Sequence, residues 1–195
     1  IVKKMLAVLI LSLVLFGCSM FDLEEYNASV GANTPEIKRV AVIDFAFELP
    51  EKGKIDRGRI RRPQNAGSLM ADIFAEHLLG VGLYQIVERE HVKYLMRQHN
   101  VMPSQLYASP DWSKFRNALN VDGVVLGSVL DYGEWRSMFN WGGVAAFTAR
   151  LVDIETGAVV WSVSANRNTA MKNAAVSAHA ASKDAINELQ ANLNR

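Results

Sequence analysis

Few side chains in this chain combine the type and the spacing that chemistry requires. Cys18 is the single cysteine among 195 residues, so an internal disulfide or a two-thiol metal clamp is excluded. His91 and His99 stand eight positions apart without the adjacent ligands of a zinc motif. His77 ends an apolar stripe, where it reads as a packed or rim histidine favoured by the carboxyl end of a helix. Asp44 closes an apolar run with no second carboxylate or histidine beside it, and Asp153 opens a turn; both read as cap or turn acceptors. The interval from Gly123 to Gly127 lacks the Lys-Ser/Thr pair of a phosphate loop. With no nucleophile and base, paired carboxylates or ligand cluster in view, the expectation is a protein that is not an enzyme and holds no metal or cofactor.

The lone thiol has another use. Lys3 and Lys4 precede an uncharged apolar run over residues 5–16, too short to span a bilayer comfortably but of the size of a secretory signal core. The run ends in Leu15-Phe16-Gly17-Cys18-Ser19, which resembles a bacterial lipobox, with Phe16 in place of the usual small residue. In such a segment the cysteine is lipidated, palmitate included, and becomes the first mature residue. Residues 1–17 are therefore expected to be a lipoprotein signal peptide and Cys18 the lipid anchor. Ser19, where aspartate would favour retention in the inner membrane, points to the periplasmic face of an outer membrane. Residues 18–38 include Asn27, Ser29, Gly31, Asn33, Thr34 and Pro35 without a sustained period and read as a flexible tether. That leaves residues 39–195 for one folded domain.

Half of the residues are hydrophobic and 21% are charged, an ordinary globular balance. Without the two signal lysines, 19 basic side chains face 20 acidic ones, and no attraction to nucleic acid follows. One stretch is locally basic: Lys52, Lys54, Arg57, Arg59, Arg61 and Arg62, against Glu51 and Asp56. It reads as a loop that is either simply solvated or able to grip an anionic partner; no aromatic residue interleaves it as a nucleic-acid groove would require.

The domain follows from periodicity. Residues 147–164 alternate in type on both sides of Asp153-Ile154-Glu155-Thr156-Gly157, the pattern of a β-hairpin whose turn needs an acceptor and a positive φ. Upstream, the run Val40, Ala41, Val42, Ile43 reads as a buried strand. Pro63 introduces a helix with Ala66, Leu69, Met70, Ile73, Phe74 and His77 on one stripe, ended by Gly80 and Gly82. A strand over 84–87, a helix over 89–99 carrying Val92, Leu95 and Met96, and a short helix from Ser109-Pro110-Asp111 to about Asn120 come next, then an apolar strand over 121–130. The last stretch places Ala178, Ala181, Ala185, Ile186, Leu189 and Leu193 at helical spacing. The fold class is α/β (α+β): a mixed sheet, parallel strands first and an antiparallel hairpin last, with helices packed on it and a long C-terminal helix.

Four segments together resemble the curli-secretion (CsgG) family of bacterial envelope lipoproteins. They are Arg39-Val40-Ala41-Val42-Ile43-Asp44-Phe45; Gly82 through Arg89; Asn120 through Val129; and, most specific, Ala149-Arg150-Leu151-Val152-Asp153-Ile154-Glu155-Thr156-Gly157-Ala158-Val159-Val160-Trp161-Ser162. The similarity covers residues 39–167 and implies a periplasmic α/β domain able to associate into rings, with a role in the assembly or export of surface material. A related fold occurs in LpoB-like lipoprotein activators of peptidoglycan synthases and in the N-terminal domain of TolB. The curli pore inserts long transmembrane hairpins, and a transmembrane strand takes about 9–11 residues. The connections at residues 133–143 and 166–172 are too short for that, so the resemblance is to the family without its pore.

The first of those connections instead concentrates Trp135, Met138, Phe139 and Trp141 beside Gly142-Gly143. Such aromatics either fold back on the core or form a contact for a membrane or a partner. The expected function is a non-catalytic assembly or accessory component of a surface-structure or secretion complex, with envelope proteins and a further copy of itself as partners; the alternative is a peptidoglycan-synthase activator.

Overall fold

The structure, a computed structural model, describes residues 23–31, 36–47, 59–61, 63–108 and 112–195. Its frame is the C-terminal hairpin. Strands β6 (Trp141–Asp153) and β7 (Val159–Ala170) pair antiparallel from Gly142↔Ala170 to Val152↔Val159. Asp153 builds the turn: its carboxylate accepts from Glu155 N at 2.9 Å and Thr156 Oγ1 at 2.6 Å, and its carbonyl accepts from Gly157 N at 2.8 Å. Gly157 has φ 75°, and a Cβ there would stand 2.8 Å from Trp112 Nε1, so both backbone and packing require glycine.

Five further strands complete the sheet: β1 (Leu23–Val30), β2 (Arg39–Val42), β3 (Arg59–Arg61), β4 (Gln85–Ile86) and β5 (Gly123–Arg136). Their order is β1-β7-β6-β5-β2-β4, with β3 also on β5. β2 runs parallel to β5 and β4; the hairpin side is antiparallel throughout. The mixed sheet with its antiparallel tail is the architecture read from periodicity.

Helices cover the faces unequally. On one face, α1 (Ala66–Gly80) and the long α5 (Ala174–Leu193) enclose Phe45, Phe74, Phe147 and Trp161, whose rings meet at centroid distances of 5.6–6.3 Å. Small residues on α5, Ala178, Ala181 and Ala185, are fully buried and let it lie close. On the other face, α2 (Arg89–Gln98), α3 (Pro103–Ala108) and α4 (Trp112–Leu119) cover the parallel half and the turn end of the hairpin, packing Val92, Met96, Leu106 and Phe115 on Val124, Leu126 and Val152. The rest of that face presents Asn27, Ser29, Thr148, Arg150, Ser162 and Ser164 around a concavity of about 400 Å³.

Four expectations change. The tether read over residues 18–38 contains strand β1, which pairs with β7 along its whole length and packs Ala28 and Val30 against the core; Asn192 Nδ2 of α5 donates to Ala28 O at 2.9 Å. Of residues 24–30 only Ala28 and Val30 are even half-buried, which leaves little alternation in the sequence. Likewise, Arg59–Arg61 of the expected basic loop forms β3, pairing with Glu134 and Trp135. The strand read over 121–130 continues to Arg136. Asp44 is not a cap: it pairs with Arg89, which is buried at the start of α2 and also reaches Asp72 and Val42 O. The helix start at Ser109-Pro110-Asp111 lies outside the described residues.

Candidate docking surface at the hairpin tip

Strands β5 and β6 continue as a second hairpin, paired to Arg136↔Trp141. Only residues 137–140 connect them, a turn closed from within: Ser137 N donates to Asn140 O at 2.7 Å, Asn140 N to Ser137 Oγ at 3.2 Å, and Trp141 N to Asn140 Oδ1 at 2.8 Å. These bonds hold the turn while leaving its apolar side chains outside. Met138 is 87% exposed, Phe139 92% and Trp141 43%.

Trp135 behaves differently from the other three. It pairs opposite Gly142, lies half-buried, and donates from Nε1 to Asn168 Oδ1 of β7 at 2.8 Å. A Cβ on Gly142 would meet its ring at 2.6 Å and Thr169 O at 2.2 Å. Trp135 is therefore a brace that fixes the tip across three strands, and the apolar side chains left exposed are Met138, Phe139 and Trp141. Sequence reasoning missed a fourth. Met171 leaves β7 at φ 56°, donates its N–H to Trp141 O at 2.8 Å and is 69% exposed. Its position beside Trp141 depends on the β6–β7 register, which no local pattern announces. Arg136 and Lys172 flank the group and are exposed. Large apolar area ringed by cations suits an interface of low polarity with anionic groups at its margin.

Directly beneath, β7 passes into α5. Asn173 caps the helix by accepting from Val176 N at 3.0 Å, and Ser177 Oγ, buried, meets Thr169 Oγ1 at 2.6 Å and donates to Gly143 O at 2.9 Å. The base of the tip is thus tied by hydrogen bonds to the helix start, and its displacement would require the two to move together.

The other candidates raised by the sequence separate. Cys18, Lys52, Lys54, Arg57 and Arg62 lie outside the described residues; for Arg59 and Arg61 the backbone alone is placed, in β3. His91 stacks on Tyr94 with ring centroids 6.3 Å apart, and His99 is exposed at the end of α2. His77 meets His179 of α5, a histidine that no sequence motif singled out. Among the described residues no group of three or more His, Cys, Asp or Glu converges.

Comparison with known proteins agrees with this architecture. The family model described as curli production assembly/transport component CsgG matches residues 32–183. The chain belongs to the CsgG family. Among solved structures, the PelC dodecamer from Paraburkholderia phytofirmans is similar at 19% identity, covering 86% of this chain and 98% of that one with a TM-score of 0.58. The lipoprotein GNA1162 from Neisseria meningitidis is also 19% identical, over 69% of this chain and 84% of its own, with a TM-score of 0.55. No curated protein matches. At these identities the solved structures show a shared fold. Within the CsgG fold, the chain's β5–β6 connection is the four residues at 137–140, and its β7–α5 connection the three at 171–173.

Proposed function

We propose that this member of the CsgG family is an outer-membrane lipoprotein, anchored through Cys18 on the periplasmic face, that serves as a non-catalytic assembly or accessory component of an envelope secretion complex. One observation carries the reading: the most exposed large apolar side chains among the described residues, Met138 and Phe139, sit on a turn held by its own hydrogen bonds and braced by Trp135. Burying them would recover apolar area at little entropic cost, because the backbone beneath is already ordered. Association between copies is part of the reading. It is supported by the family's assembly role, by the dodecameric state of the structurally similar PelC, and by the outer edge of β1, which meets no other strand among the described residues.

The test uses the lipid-bearing protein extracted in mild detergent. Metabolic labelling with a fatty acid should mark Cys18 and be lost in Cys18→Ser. Native mass measurement should give a closed oligomer, with secretion components co-purifying. A monomer at every concentration, or a peptidoglycan synthase as the co-purifying protein, would count against the reading and for the activator alternative.

A further inference from the structure

Helices α1 and α5 cross where each carries an imidazole. His77 lies in the last turn of α1, and its Nε2 stands 3.3 Å from Nδ1 of His179 on α5; the rings meet edge to face with centroids 5.4 Å apart. The helices are held by the buried cluster that includes Ala71, Ala75, Ala178 and Ala181, so the two rings are brought together by the core and not by their own attraction.

That separation fits an N–H···N hydrogen bond and is also the one a shared tetrahedral ion would require. Two imidazole nitrogens bound at about 2.0–2.1 Å to one tetrahedral zinc ion lie about 3.3–3.4 Å apart, whereas a square-planar ion would draw adjacent donors to about 2.9 Å. We propose that His77 and His179 form a two-imidazole site for a divalent cation of tetrahedral preference, zinc foremost, that clips α1 to α5.

Its surroundings suit such a cation in part. His77 is half-buried, and burial first, then His179 and Lys183, hold its pKa below the usual 6.5, which keeps a lone pair free at neutral pH. Glu76 supplies negative potential, and the carbonyl end of α1 adds to it. Lys183, one turn along α5 from His179, opposes the charge. No third protein ligand joins the pair among the described residues, so water completes the coordination and the clip is exchangeable. Without a cation the same contact closes as an N–H···N hydrogen bond.

The experiment takes the full chain, free of any polyhistidine tag and stripped with a chelator, and titrates it with zinc at pH 7.5 by calorimetry, with thermal unfolding in parallel. One equivalent should bind saturably and raise the melting temperature. His77→Gln and His179→Gln should each abolish both effects, His91→Ala with His99→Ala should leave them unchanged, and Lys183→Ala should tighten binding. His179 is exposed, so its variant keeps the fold, which circular dichroism verifies. Absence of saturable binding by the folded wild type, or binding that survives both glutamine variants, overturns the proposal.

Discussion

Arg89 donates to Asp44 across 2.5 Å from a side chain only 8% exposed, joining the start of α2 to the end of β2. The same guanidinium bonds Asp72 of α1 and, at 2.9 Å, Val42 O. One side chain thus ties together three elements whose sequence patterns are independent of one another.

Arg89→Ala should destabilise the protein by about 3 kcal/mol, because the Val42 carbonyl and two acceptors lose a shared donor at once. Asp44→Ala should cost less, about 1–2 kcal/mol, since Asp72 still balances the buried cation. Arg89→Lys should recover little of the loss: an ammonium cannot present a planar fork to three acceptors. Urea unfolding of the four proteins checks the ranking, and equal costs for Arg89→Ala and Asp44→Ala would disprove the shared-donor account.

At the tip, Met138→Ser with Phe139→Ser should leave stability within about 0.5 kcal/mol, as exposed substitutions do. The same pair should weaken association with anionic vesicles or with the native assembly. Trp135→Phe should act the opposite way, losing about 1 kcal/mol with the Asn168 bond while sparing association. Sedimentation with vesicles and thermal unfolding separate the two effects; a large stability loss in the double variant would show that the tip packs on the protein itself.

Gly157→Ala should cost at least about 1–2 kcal/mol from the left-handed backbone alone, and more because the new methyl meets Trp112. Trp112→Ala in the same chain should relieve only the second part. A double-mutant cycle by denaturant unfolding measures that coupling, and strict additivity would remove the contact from the explanation.

The His77 imidazole gives a pH dependence whose sign is set. Burial and the facing His179 and Lys183 hold its folded pKa below 6.5, with Glu76 partly opposing them. The unfolded chain therefore binds the proton more readily, and stability present above pH 6.5 is lost as pH falls from there toward the folded value. His77→Gln should flatten the melting temperature between about pH 7 and 5 relative to wild type. An unchanged slope would place the acid sensitivity elsewhere.

Much of this protein was legible in its residues. Alternation about Asp153 and Gly157 specified the β6–β7 hairpin, because a period of two and one positive φ are local properties; the alanine stripe of α5 and the stripe of α1 are local in the same sense. The most specific part of the family similarity, Ala149 to Ser162, lies in that hairpin too. What the tertiary structure decided are relations between distant residues. Residues 23–30 became a strand only because β7 offered an edge, so their own weak pattern read as a tether. Trp135 became a brace and Met171 an exposed neighbour of Trp141 through the register of β5, β6 and β7. His179 met His77, and Arg89 met Asp44, through the packing of elements 102 and 45 positions apart in the chain. A sequence states periodicity directly, whereas the meeting of two side chains depends on every element packed between them.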